Sequence, residues 1–112
     1  MLHTVTISHT DGTPAGWIVQ CFKWQDENNA NPQPIPLVMI KQGDAFVGTM
    51  DLDDGIYALE CDLRAGVELD VDLTPQSPIF QPPGGSWPVT VTVEPLRTRD
   101  IFPFYFRVGG GQ

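Results

Sequence analysis

The chain has 112 residues, 41% of them hydrophobic, with 11 glycines and 11 prolines spread along it; that length suits one core, and the punctuation is too frequent for long helices. Fourteen acidic against six basic residues leave a formal charge of −8, which disfavours nucleic acid and anionic membrane surfaces as partners. No run nears the roughly 18 apolar residues of a membrane-crossing helix, and 1-MLHTVTISHT-10 lacks the basic and apolar regions of a secretory signal, so the expected location is cytoplasmic, or secreted if an upstream signal was removed.

Period-2 alternation recurs throughout and predicts strands. Residues 2–8 alternate Val5 and Ile7 with Thr4, Thr6 and Ser8, and 11-DGTPAG-16 is a turn. Residues 17-WIVQCFKW-24 predict a second strand, covered on both faces because both parities are apolar. The polar, Pro-rich 25-QDENNANPQPIP-36 predicts a loop with no strand. Residues 37-LVMIK-41 and 45-AFVGTM-50 predict a third and fourth strand joined tightly through 42-QGD-44.

After the turn 51-DLDDG-55, residues 56–63 place Tyr57, Leu59, Cys61 and Leu63 on one face, and 67–73 place Val67, Leu69, Val71 and Leu73 on another. With 64-RAG-66 between them they read as a β-hairpin. A second loop, 74-TPQSPIFQPPGGSW-87, precedes strands over 88–94 and 104–108, with 95-PLRTRDIFP-103 as connector. The expected fold is therefore an all-β, antiparallel two-sheet sandwich of 7–8 strands, transthyretin-like or immunoglobulin-like, forming one domain over 1–108 with a loose tail at 109–112.

The hairpin would pair Asp62 with Glu68 and Glu60 with Asp70, with Asp72 beyond, so that five carboxylates share one exposed face. Like charges directly opposite destabilise a sheet by about a few tenths of a kcal/mol per pair when solvated. A solvated face that blocks edge association and a docking surface for a basic protein partner both account for this. Side chains on one strand face lie about 7 Å apart, too far for a compact calcium cage. Calcium fits Asp51, Asp53 and Asp54 in the turn better, although the distal glutamate of an EF-hand is missing. A plain Asp-Gly turn explains the same residues.

Cys21 and Cys61 are expected as buried thiols, with a disulfide across the core as the alternative; they have no zinc-site spacing. His3 and His9 read as surface or edge histidines rather than copper ligands. Ser8, Ser77 and Ser86 lack a nucleophile-elbow motif or a base nearby in sequence. Trp17, Phe22 and Tyr57 are expected in the core, whereas Trp24 and Trp87 flank the two loops, and Trp87 is the best single candidate for a binding contact.

Two stretches carry a resemblance. The strand, Asp-Gly turn and strand of 5-VTISHTDGTPAGWIVQ-20, and 49-TMDLDDGIYALECDLRAG-66 with its acidic-Gly turn and Y-x-L pattern, resemble transthyretin-like, carboxypeptidase-regulatory-type domains. The resemblance covers roughly the first two thirds of the chain and implies a prealbumin-like sandwich acting as an accessory or binding module. Hydroxyisourate hydrolase shares that fold and carries a histidine on its first strand, against which His3 or His9 can be set. Its C-terminal Y-R-G-S and third histidine have no counterpart here, where the chain ends 106-FRVGGGQ-112.

The expected function is a non-catalytic module that recognises a protein partner through the acidic face and long loops, with self-association through a sheet edge as a further expectation. Carbohydrate binding by loop aromatics is the alternative, and a small hydrolase the third reading.

Overall fold

A computed structural model describes residues 1–9, 16–24, 32–94 and 96–109; most of the 11–16 turn, most of the 25–36 loop and the end of the tail lie outside the described residues. Ten strands are present among those described: β1 Leu2–His9, β2 Trp17–Lys23, β3 Gln33–Ile35, β4 Ile40–Gln42, β5 Ala45–Asp51, β6 Gly55–Arg64, β7 Glu68–Thr74, β8 Ile79–Gln81, β9 Val89–Thr92 and β10 Arg99–Val108. They form two antiparallel five-stranded sheets, ordered β4-β5-β1-β7-β9 (sheet A) and β3-β2-β6-β10-β8 (sheet B). The molecule is an all-β two-sheet sandwich, and among the described residues no helix is long and apolar enough to cross a membrane.

The strand count exceeds the expectation because both long loops carry a short edge strand. Gln33–Ile35 pairs with β2, and Ile79–Gln81 pairs with β10. Pro34 is tolerated because an edge strand needs only half of its backbone groups in the ladder. The connector read over 95–103 is also partly strand, since β10 begins at Arg99 and pairs with β6 along its whole length.

The inward rows are those the alternation indicates: Tyr57, Leu59, Cys61 and Leu63 on β6, and Val67 with Leu69, Val71 and Leu73 of β7, are all buried. Their relationship is not a hairpin. β6 lies between β2 and β10 in sheet B, whereas β7 lies between β1 and β9 in sheet A. The turn is closed by Val67 N–H donating to Arg64 O at 3.2 Å, with Gly66 at φ +82°. It carries the chain across the core, so the two greasy rows face each other instead of lying side by side. This arch satisfies the same alternation as a hairpin, because either arrangement turns both rows inward.

Candidate functional site

The arch separates the five carboxylates. Glu60 and Asp62 stand on the outer face of sheet B, where their cross-strand neighbours are Gln20 and Pro103, and Ile18 and Ile101. Glu68, Asp70 and Asp72 stand on the outer face of sheet A, opposite Thr92, Thr90 with Ser8, and Thr6. No carboxylate opposes another, and the single acidic surface expected from the sequence is two surfaces on opposite sides of the molecule. Several of these acids are engaged locally. Arg99 grips Asp62 with a fork, Nε donating to Oδ1 at 2.8 Å and Nη2 to Oδ2 at 2.5 Å, which holds the Asp62 carboxyl below its ordinary range. Thr90 donates to Asp70 at 2.6 Å, and Asp72 accepts from the Leu73 backbone N–H at 2.9 Å.

The two outer faces differ in chemistry. Sheet A presents Thr4, Thr6, Ser8, Thr49, Thr90 and Thr92 with its acids, the mainly polar face that a sandwich turns to water, interrupted by exposed Leu2 and Ile40. Sheet B does not. On its outer side, Phe22, Ala58 and Tyr105 form one row across three strands. Trp24, held beyond β2 by its N–H to Ile56 O at 3.0 Å, meets Tyr105 edge-to-face at 5.8 Å. Phe80 lies tilted against Tyr105 at 6.4 Å. The register slips at this point, since Tyr105 faces Gln81 and Phe106 faces Ile79; the resulting bulge aims Phe80 outward. Phe22 and Tyr105 flank Ala58, which is only 4% exposed, and Trp24 and Phe80 extend the cluster from Tyr105. Farther along the face, Ile18 (57%) and Ile101 (46%) are exposed on either side of Asp62. The expected cover over β2's second face is absent among the described residues.

Trp24 therefore belongs to a surface cluster, and its indole Nε1 is buried without a hydrogen-bond partner among the described residues. Trp87 does not belong to that surface. It is buried, packs against Phe104 and Phe106 at 6.0 Å each, and donates Nε1–H to Ser77 O at 2.7 Å. Its place beside 82-PPGGS-86 suggested exposure, but the loop folds back and delivers the indole to the core. Phe22, expected in the core, faces outward instead.

Asp51, Asp53 and Asp54 do not converge. The N-terminal ammonium donates to Asp51 at 3.0 Å, Lys23 Nζ lies 3.9 Å from Asp53, and Asp54 sits against Gly109. Among the described residues no group of three or more His, Cys, Asp or Glu side chains is arranged to hold a metal ion.

His3 is fully buried, contrary to the surface reading, because positions 3, 5 and 7 of β1 share the inward face. Its Nδ1 lies 3.1 Å from Met1 O and its Nε2 3.1 Å from Ser77 Oγ. For His9, β1 pairs it with Leu69; its side chain lies outside the described residues. Cys21 and Cys61 are free, and both lie in sheet B rather than across the core. Cys21 faces Leu59 and Cys61 faces Val19 in the register, a diagonal relationship, and burial pushes each thiol up to about 12.

Fold and surface define a β-sandwich domain whose second sheet exposes an aromatic and aliphatic face. No protein-family model matches the chain, and neither does any curated protein or solved structure.

Proposed function

We propose that this domain is a non-catalytic recognition module that binds a protein partner through the outer face of sheet B. The observation that carries this reading is a difference between the two outer faces: that of sheet A is mainly Thr, Ser and acid with Leu2 and Ile40 exposed on it, whereas that of sheet B carries a cluster of rings with Phe80 exposed, and Ile18 and Ile101 exposed beyond Glu60. Contiguous apolar surface rimmed by charge marks protein-binding sites, and aromatic anchors dominate their energetics. Tyr105 and Trp24, braced against each other, are the anchors, and Glu60 on the central strand β6 stands between them and the Ile18–Asp62–Ile101 row. The likeness of residues 5–20 and 49–66 to transthyretin-like accessory modules supports the same class of function, and two unpaired thiols fit a reducing compartment.

Panning a random-peptide phage library against the immobilised domain tests this. Enrichment of aromatic and aliphatic peptides, lost in Tyr105→Ala and Phe80→Ser, is expected. No enrichment, or enrichment that both variants retain, overturns the reading. Concentration-dependent self-association lost in the same variants identifies the occupant as a second copy of the chain and also overturns it.

A basic partner is the second reading, supported by the outer row of β7. Glu68, Asp70 and Asp72 occupy alternate positions there, and their cross-strand neighbours are the hydroxyl residues Thr92, Thr90, Ser8 and Thr6. Binding on that face falls steeply with salt; binding on sheet B does not.

A further inference from the structure

At the end of sheet B away from the aromatic cluster, a groove of about 310 Å³ is lined by Gly16, Trp17, Ile18, Asp62, Arg64 and Arg99. We propose that this groove binds a monoanionic carboxylate, with Arg64 as the principal contact. This assignment does not depend on the docking role given to the rest of the face.

Three observations carry it. First, Arg64 and Arg99 are direct cross-strand partners, an opposition of like charges that costs stability on a sheet. Asp62 is the single carboxylate set against the two guanidiniums: the Arg99 fork grips it, and the charge of Arg64 acts on it as well. The groove therefore keeps one net positive charge in a chain of charge −8.

Second, the free capacity is placed correctly. Arg64 has no carboxylate within ion-pair distance among the described residues, and its backbone is fixed by its N–H donating to Gly16 O at 2.8 Å. The Arg64 guanidinium retains its planar array of donors, which matches two carboxylate oxygens side by side. The fork to Asp62 uses Nε and Nη2 of Arg99 and leaves Nη1 for the same ligand.

Third, the walls select the ligand. Ile18 and Trp17 offer apolar surface beside the guanidinium, so an acid with an apolar substituent gains more than acetate does. One residual charge matches a monoanion; a phosphate dianion overcharges a groove that already holds Asp62 and lies beside Glu60. A small aromatic or aliphatic acid and the terminal carboxylate of a peptide share this chemistry.

Titration of the ¹⁵N-labelled full chain at constant ionic strength separates these sources. Benzoate, a tripeptide acid ending in leucine and the same peptide amidated are the three ligands. Saturable shifts at the Gly16, Ile18 and Arg64 amides are expected, with dissociation constants on the order of 1–10 mM. Weakening of tenfold or more in Arg64→Ala, partial rescue in Arg64→Lys and no change in Arg107→Ala complete the expected pattern. Benzoate alone binding assigns the groove to a free acid, whereas the peptide acid binding in preference to its amide assigns it to a chain terminus. Linear shifts without saturation, binding that survives Arg64→Ala, or phosphate binding as tightly as the carboxylates overturns the proposal. Because no partner protein is used, failure here leaves the peptide-panning result untouched, and the reverse holds equally.

Discussion

His3 Nε2 lies 3.1 Å from Ser77 Oγ across 74 residues of chain. Met1 O can only accept, so Nδ1 of a neutral His3 carries the proton and donates to it, and Nε2 accepts from the Ser77 hydroxyl. Ser77 is engaged at every polar group, since its N–H donates to Pro75 O at 2.9 Å and its carbonyl accepts from Trp87 Nε1 at 2.7 Å. The arrangement is that of a pin fastening the 74–87 loop to β1.

The pin predicts non-additive losses. Ser77→Ala leaves buried His3 Nε2 without a partner and costs about 1–3 kcal/mol, while Trp87→Phe keeps most of the packing and removes one hydrogen bond, costing about 1 kcal/mol. Urea denaturation of both variants and the double variant gives the coupling directly. Because both act on the seating of one loop, the double variant loses less than the sum. Strict additivity shows that the two contacts are independent.

Gly48, buried in β5, lies against residues 37–39 of the segment that links β3 to β4. A Cβ at this buried position would lie 2.7 Å from both Leu37 Cδ1 and Met39 Sδ, and 2.8 Å from Val38 O. The side chains could swing away, but the backbone carbonyl could not without displacing the segment. Gly48→Ala is therefore expected to destabilise by about 1–3 kcal/mol, read as a lower urea midpoint at unchanged m-value. Unchanged or increased stability shows that residues 37–39 pack loosely there.

The layered all-β architecture was legible because alternation from Tyr57 to Leu73 reports directly which side chains point inward. Sheet membership was not legible, because Leu63 and Val67 point into the core equally well across a hairpin or an arch. The same ambiguity hid the candidate surface. Apolar residues at both parities in 17-WIVQCFKW-24 read as a strand covered on both sides, Ile101 fell in a stretch read as connector, and only the tertiary arrangement shows that no described element covers the outer face. Trp87 was misplaced for a related reason: loop composition says nothing about whether the loop folds back. The groove at Arg64 could not be seen at all, since it needs the 64–99 register and the Asp62 fork together.

Self-association through a sheet edge meets an obstacle on β10. Its first half extends beyond β8, which pairs only at Tyr105 and Phe106. Ala65 N–H donates to Thr98 O at 2.9 Å, so the ladder phase turns Arg99, Ile101 and Pro103 toward the open side. Pro103 has no N–H to offer, and the Ile101 N–H is taken by Asp100 Oδ1 at 2.9 Å. Such blunting discourages strand addition. The double variant Asp100→Ala, Pro103→Val restores both donors and is expected to oligomerise in sedimentation velocity runs where the parent does not. A monomeric double variant at equal concentration removes the protective role.

The two thiols make the fold sensitive to alkali. Cys21 and Cys61 are each raised from the ordinary thiol value of 9.0 to about 12, first by burial, and Cys61 additionally by the negative charge of Glu60. Tyr57 is raised in the same direction by burial and then by nearby Asp53. In each case the folded chain holds its proton to higher pH than the unfolded chain does, so the unfolded state binds fewer protons once pH exceeds about 9. Stability is fully present below that pH and falls as pH rises toward 12, by roughly 1.4 kcal/mol per pH unit for each thiol. Urea midpoints measured from pH 7 to 11 should therefore be flat and then decline, with a shallower decline in Cys21→Ala measured against its own neutral-pH value. Ellman's reagent provides the chemical counterpart. At pH 8 the native protein should react far more slowly than the urea-unfolded chain, in which both thiols titrate at once; equal rates in the two states rule out the burial that places Cys21 and Cys61 inside sheet B's inner face.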